Sequence, residues 1–230
     1  MLKRLLSFVL VAALSVGVIS TTAFAAEPSL YSDVTIVQDT SDSRVAVSGD
    51  VTATFDKKTN TMYINDGGDI YSFSLSVSDS SSTAVPYANK VVKEESVALH
   101  AYEYVLTDSG DYYWGVDIPS YNINPNNWCG WISVWDDGST EGNFAAEFAD
   151  YIDAAQDDEH TIATYGGATA VAVIVGLVTK NPTWSASAFK AACAAAGVLV
   201  SVGILDAGAS YYNNLNNARE NYFAIREIVG

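Results

Sequence analysis

Residues 161–179, TIATYGGATAVAVIVGLVT, run for nineteen positions without a charge in a chain that holds 27 Asp+Glu and 11 Lys+Arg. As a helix this stretch is about 28 Å long at 1.5 Å per residue, close to the roughly 30 Å of a bilayer's hydrocarbon core. A second uncharged stretch, residues 191–205, follows after KNPTWSASAFK. In that connection Asn181-Pro182 stops one helix, and Thr183 or Ser185 is placed to cap the next. Residues 161–205 therefore read as an apolar helical hairpin with Trp184 near its tip. A helix apolar on every side belongs in a protein core or in lipid, and the rest of the chain has to be compatible with one or both.

The hairpin is rich in small residues. Gly166, Gly167, Gly176, Gly197 and Gly203, with many alanines, let backbones approach closely, and Ala172 with Gly176 forms a small-xxx-small pair suited to tight helix contact. In water each glycine inside a helix costs about 1 kcal/mol relative to alanine, so packing or a second environment has to offset them.

Flanking sequence supplies candidate cover. Phe144, Phe148, Tyr151, Ile152 and Ala155 form one helical stripe, with Glu147, Asp150, Asp153 and Asp157 off it. Tyr211, Leu215, Ala218, Tyr222, Ile225 and Val229 repeat at alternating intervals of four and three, a seam that packs on a neighbour. The acidic cluster Asp157-Asp158-Glu159-His160 sits at the mouth of the hairpin.

From residue 34 to 135 the period is two instead of 3.6. In IYSFSLSVS, Tyr71, Phe73, Leu75 and Val77 alternate with serines, as in a strand with one buried face. VTATFDKKTNTMYI reads as a hairpin turning at residues 56–60. Further strands are expected at 34–38, 97–106, 112–118 and 131–135. The predicted architecture is α+β: an antiparallel sheet or sandwich over residues 27–138, then a helical domain over 139–230 containing the apolar hairpin at 161–205. The change of period near residues 138–143 marks the boundary.

At the N-terminus, Lys3 and Arg4 precede an apolar stretch, residues 5–19, and the small-residue site Ala23-Phe24-Ala25. That order is expected of a secretory signal peptide over residues 1–25, cleaved after Ala25 or Ala26, so the protein is expected to be secreted. The formal net charge is −16, more negative once Lys3 and Arg4 are removed. Such a field repels phosphate backbones and argues against nucleic acid as a partner. It also opposes docking on anionic lipid. Outside the cell Cys129 and Cys193 are either joined or left as two thiols, and the sequence is compatible with both.

No catalytic signature is present. The chain has two histidines, His100 and His160, and lacks the metalloprotease, nucleophile-elbow, P-loop and dinucleotide motifs. His100 alternates with Tyr102, Tyr104 and Leu106 as a residue of a half-buried sheet would, and a thiol–imidazole pair with Cys129 is the weaker reading. Asp136, Asp137 and Glu141 surround Gly138 without the alternating spacing that converges oxygens on calcium, and a solvated turn explains them. No metal, cofactor or catalytic residue is expected. Tyr112, Trp114, Val116 and Ile118 share one strand face, which suits a core. Tyr113, Trp114, Trp128 and Trp131 are candidates for surface aromatics that stack on sugar rings or sit at a lipid interface.

The order of parts carries a resemblance: a signal peptide, an acidic β-rich half with FDKKTNTMYI, an Ala/Gly-rich apolar region, and YYNNLNNARENYFAI. This layout resembles the geobacillin-type large secreted bacteriocins of Gram-positive bacteria over most of the mature chain, by organisation and short phrases. The resemblance implies an antibacterial protein without catalytic residues. Membrane-active bacteriocins are commonly cationic, and here the sequence departs from the pattern. The expected function is secreted, bacteriocin-like action on the membranes of competing bacteria through the apolar hairpin. Expected partners are the target membrane or an envelope receptor, and an immunity protein. The alternative is a non-enzymatic cell-envelope module that binds glycan or protein through exposed aromatics.

Overall fold

In the computed structural model, residues 33–75, 91–98, 101–108, 112–118, 130–181 and 183–230 are described. Five strands, β1 (Val34–Asp39), β2 (Ser43–Ser48), β3 (Val51–Asp56), β4 (Thr61–Asp66) and β5 (Asp69–Ser74), form an antiparallel meander in sequence order. Alternation directs Ala46, Ala53, Met62, Ile64 and Phe73 to its buried face. The expected β3–β4 hairpin is present, with Asp56 accepting hydrogen bonds from the Lys58 and Thr59 N–H groups in its turn and Asn60 at φ 54°.

A second antiparallel sheet holds β6 (Val91–Val97), β7 (Tyr102–Asp108), β8 (Tyr112–Asp117) and β9 (Ile132–Trp135). The single strand expected at 97–106 is in fact the end of β6, a reversal and the start of β7. Ala98 takes φ 55°, and the Ala101 N–H donates to its carbonyl across the turn. Alanine rarely adopts that conformation, so nothing in the local sequence announces the turn. Strands β2 and β6 were also not foreseen.

Three helices follow: α1 (Thr140–Lys180), α2 (Ala186–Ala195) and α3 (Val202–Val229). Each opens on a serine cap. Ser139, Ser185 and Ser201 accept from the N–H groups of Gly142, Ala188 and Ile204, which satisfies one of the unpaired donors of each first turn. The uncharged stretch 161–179 is not one continuous helix, because Gly167 sits at φ 72°, ψ 178° and breaks α1 into two arms. Nor is 191–205 continuous. α2 stops at Ala195, and Gly197 at φ 81° donates to Ala194 while Val198 donates to Cys193. That is a Schellman ending, and α3 then starts at Val202.

The first arm of α1 lies on the four-stranded sheet, and α3 runs antiparallel along it: Ile204 is near Gly166, Tyr211 at Glu159 and Asn221 at Glu147. The second arm and α2 cover the five-stranded sheet. There α2, with its buried alanines, packs on β2 and β3, whose buried side chains include the equally small Ala46 and Ala53. The sheets and all three helices share one buried core. The α+β architecture, strands first and then a helical region with a long apolar helix, is as expected from the two periods.

Candidate functional site

Among the described residues one helix, α1, is long and apolar enough to cross a membrane by length and composition. Beyond Gly167 its apolar arm, residues 168–180, measures about 20 Å at 1.5 Å per residue, and residues 170–178 of it are buried. Gly176 shows how tightly it is held. A Cβ built there would lie 2.0 Å from Cδ2 of Phe73, so the ring of β5 fills the space a side chain would take. Gly176, one member of the small-xxx-small pair with Ala172, therefore meets the side chain of a strand.

Trp184 lies in the connection between α1 and α2 and is half-buried there. Its ring lies 5.6 Å from Phe189 and 5.8 Å from Tyr212, and a Cβ at Gly208 would touch it at 3.2 Å. The Trp184 ring thus packs back onto α2 and α3 while Lys180 and Thr183 beside it stay exposed, and the Tyr212 hydroxyl donates to the Asn181 carbonyl. With Tyr71 and Ser185, these residues border a cavity of about 10 Å³.

The opposite end of the apolar region is open. A Cβ at Gly166 would lie 3.4 Å from Ile204 and 3.7 Å from Val198, so the Gly167 break and the 197–202 turn meet. Around them Tyr165 is 72% exposed, Leu199 73% and Val202 54%, with Gly167, Gly197 and Gly203 also at the surface. No charge occurs at 161–179 or 191–205, although Asp206 begins the charged part of α3. The nearest basic group is Arg44, whose Nη1 lies 3.1 Å from where a Gly197 Cβ would stand. Arg44 donates to Asp39, as does Lys57, and the two cations hold the Asp39 carboxyl down at about 2. The glycines singled out in the sequence thus divide: Gly166, Gly167, Gly197 and Gly203 gather at this apolar end, while Gly176 is buried.

Below the open end, carboxylates of α1 fasten its neighbours. Glu159 accepts from the Ala98 N–H at 3.0 Å and the Tyr211 hydroxyl at 2.7 Å. Asp153 accepts from the Tyr104 hydroxyl at 2.7 Å and from Lys93. Asn214 donates to Asp158 and Asn221 to Glu147. Burial, and after it the adjacent carboxylates, push the Tyr104 and Tyr211 hydroxyls well above the usual phenol range, so both remain donors at any physiological pH. Burial also raises Asp158. Sequence reading set Asp153 and Glu147 on a solvated face, and only the position of strands and α3 supplies their partners.

The four-stranded sheet separates its aromatics. Trp114 points toward the helices, 5.9 Å from Tyr104, and so is not part of an outward aromatic surface. Tyr113 stacks on Trp135 at 3.9 Å on the other side, and Trp131 lies over Gly115. Glu103 and Asp117 oppose each other in register on that outward side, yet are only 6% and 3% exposed. Asp117 is raised to about 6, first by burial and then by Glu103. Asp137 accepts from the Ser139 N–H in a turn that leads into the α1 cap, and no group of three or more His, Cys, Asp and Glu that could hold a metal occurs among the described residues. Cys193 is buried, and burial pushes its thiol well above the usual range. Cys129, Trp128, His100 and the expected signal peptide lie outside the described residues, and a Cys129–Cys193 bridge remains a proposal.

No family model matches the chain, and neither a curated protein nor a solved structure matches it.

Proposed function

We propose that this is a secreted antibacterial protein, bacteriocin-like, that acts on the membranes of competing bacteria through its apolar region. One observation carries the reading: an uncharged end displaying Tyr165, Leu199 and Val202, continuous along the chain with the buried arm 168–180 and α2. In a strongly acidic protein such an end meets a bilayer with no carboxylate in its own segments, and the carboxylate at its Gly197 edge, Asp39, is paired with Arg44. Aromatic and aliphatic side chains of this kind partition into the headgroup boundary.

On this reading the end touches the bilayer first and the sheltered segment follows. Gly167 and the 197–201 turn flank that segment and are the places where it hinges. The arm alone is shorter than a hydrocarbon core, so entry involves both apolar segments together. Withdrawal of Phe73 from Gly176 has to accompany it. A target membrane, with an envelope receptor and a cognate immunity protein, completes the proposed set of partners.

The test is dye release from zwitterionic and anionic vesicles. We expect release to be stronger from zwitterionic vesicles, given the protein's charge, and Leu199→Glu or Tyr165→Glu to abolish it while leaving the fold intact by circular dichroism. Absence of release from either vesicle type, together with no killing of Gram-positive indicator strains, would overturn the proposal.

A further inference from the structure

The five-stranded sheet has a second face, and its composition is unlike that of the rest of the molecule. Strand register sets Thr35, Val47, Thr52, Asn65 and Ile70 in one row across the sheet, and Gln38, Val45, Thr54, Tyr63 and Ser72 in the next. Both rows face away from α2, because their neighbours Ala46, Ala53, Met62 and Ile64 are the ones that are buried. Thr35, Gln38, Tyr63, Asn65, Ile70 and Ser72 are exposed, with Tyr63, at 44%, standing near the centre of β4.

Neither row contains an Asp, Glu, Lys or Arg. The row beyond, Ser43, Asp56, Thr61 and Ser74, contains one carboxylate. Asp56 is already engaged, accepting from Lys58 and Thr59 in the β3–β4 turn. A protein surface ordinarily carries one charged residue in every three or four, so this face is a gap in an otherwise acidic exterior.

We propose that this face binds an uncharged polysaccharide, with the chain lying across the strands and one sugar ring against Tyr63. Charge selects the occupant. A polyanion is repelled by the protein's net charge, and a cationic partner finds no free carboxylate in the two rows. A protein partner needs a cluster of large apolar or aromatic anchors, and the rows expose two such side chains, Tyr63 and Ile70, among six hydroxyl or amide groups. Six of the ten side chains in the rows carry an aliphatic hydroxyl or an amide, and the others are Tyr63, Ile70 and two half-buried valines, Val45 and Val47, a surface that matches the hydroxyl groups and C–H faces of neutral sugars. Geometry agrees: strands lie about 4.8 Å apart, similar to the advance of one pyranose along an extended chain, so a row of five strands presents one contact site per sugar over about 19 Å. The outward side of the four-stranded sheet is less suited, because Glu103, Val105, Thr107 and Asp117 there are closed off from solvent.

The inference is independent of the membrane reading and uses other residues. It is tested by retention of the intact protein on cellulose and chitin and by affinity electrophoresis in a soluble neutral β-glucan, with pectate as the polyanionic control. Retention on at least one neutral polymer but not on pectate is expected, with Tyr63→Ala and Thr54→Glu each weakening it about tenfold or more and Trp131→Ala leaving it unchanged. Circular dichroism and thermal unfolding confirm that each variant is folded, and Tyr63→Phe, which keeps the ring, is expected to bind. No retention on any neutral polymer, or retention unaffected by both Tyr63→Ala and Thr54→Glu, overturns the proposal. Vesicle leakage by these variants is expected to match the parent, so failure here and failure of the membrane reading are separable.

Discussion

Gly176 and Asp117 show how single positions carry conflicting demands. At Gly176 any side chain collides with Phe73. Gly176→Ala gains about 1 kcal/mol of helix propensity but forces β5 and α1 apart, and overpacking of this kind costs about 1–3 kcal/mol. We therefore expect a net loss of stability in urea unfolding, partly recovered by Phe73→Leu in the same chain. Asp117 works through charge. Its folded-state pKa, about 6, is above the ordinary 3.8, so the folded protein holds the proton more tightly than the unfolded chain. The stability from this group therefore falls as pH rises from about 4 to 6, and the cost is complete above that window. Asp117→Asn is expected to raise stability at pH 7.5 by about 1 kcal/mol or more and to flatten the pH dependence between 4 and 6, as read by thermal unfolding. The glycine itself was legible in the sequence as a site of close approach. That its partner is a phenylalanine on a strand a hundred residues earlier was not, because local periodicity says nothing about which distant surface a helix meets.

Gly167 belongs to the scale of elements. Its combination of φ 72° and ψ 178° is a region open essentially to glycine alone. Gly167→Ala therefore either destabilises the fold by about 1–3 kcal/mol or drives α1 toward one continuous rod. Urea unfolding together with the helical signal at 222 nm distinguishes these outcomes, and both are expected to change vesicle leakage if the break is a hinge. Element types were readable where the period was strong: the β3–β4 hairpin, the first arm of α1 and the seam of α3. They were unreadable where a local rule is broken. Ala98 turns the chain at a positive φ that its side chain disfavours, held there by Glu159 from another element. Trp184 was placed in the connection between two helices by Pro182 and the serine cap, but its ring contacts with Phe189 and Tyr212 come from tertiary structure alone.

At the scale of the molecule, the change of period near residue 138 separates strands from helices in sequence but not in the core, which both halves share. One core implies one transition. Indole fluorescence from the five tryptophans should follow the same urea curve as the far-ultraviolet signal, and two separated midpoints would show independent units instead. The candidate apolar end was only half legible. Its lack of charge is plain in the sequence, but the meeting of residue 165 with residues 199 and 202 needs the antiparallel return of α3.

That return also orders events in time. α3 is synthesised after every surface it covers, and it lies on the first arm of α1 through Tyr211, Asn214, Asn221 and Ile204. The hydroxyl of Tyr222 reaches back to exchange hydrogen bonds with the N–H and carbonyl of Gly130, ahead of β9. Until residues 202–222 have emerged, Glu159 lacks its phenol donor and Gly130 lacks the Tyr222 hydroxyl. A growing chain of this design stays open through most of its synthesis and closes late. For a protein expected to pass an export channel as an extended thread, postponed closure keeps the thread passable.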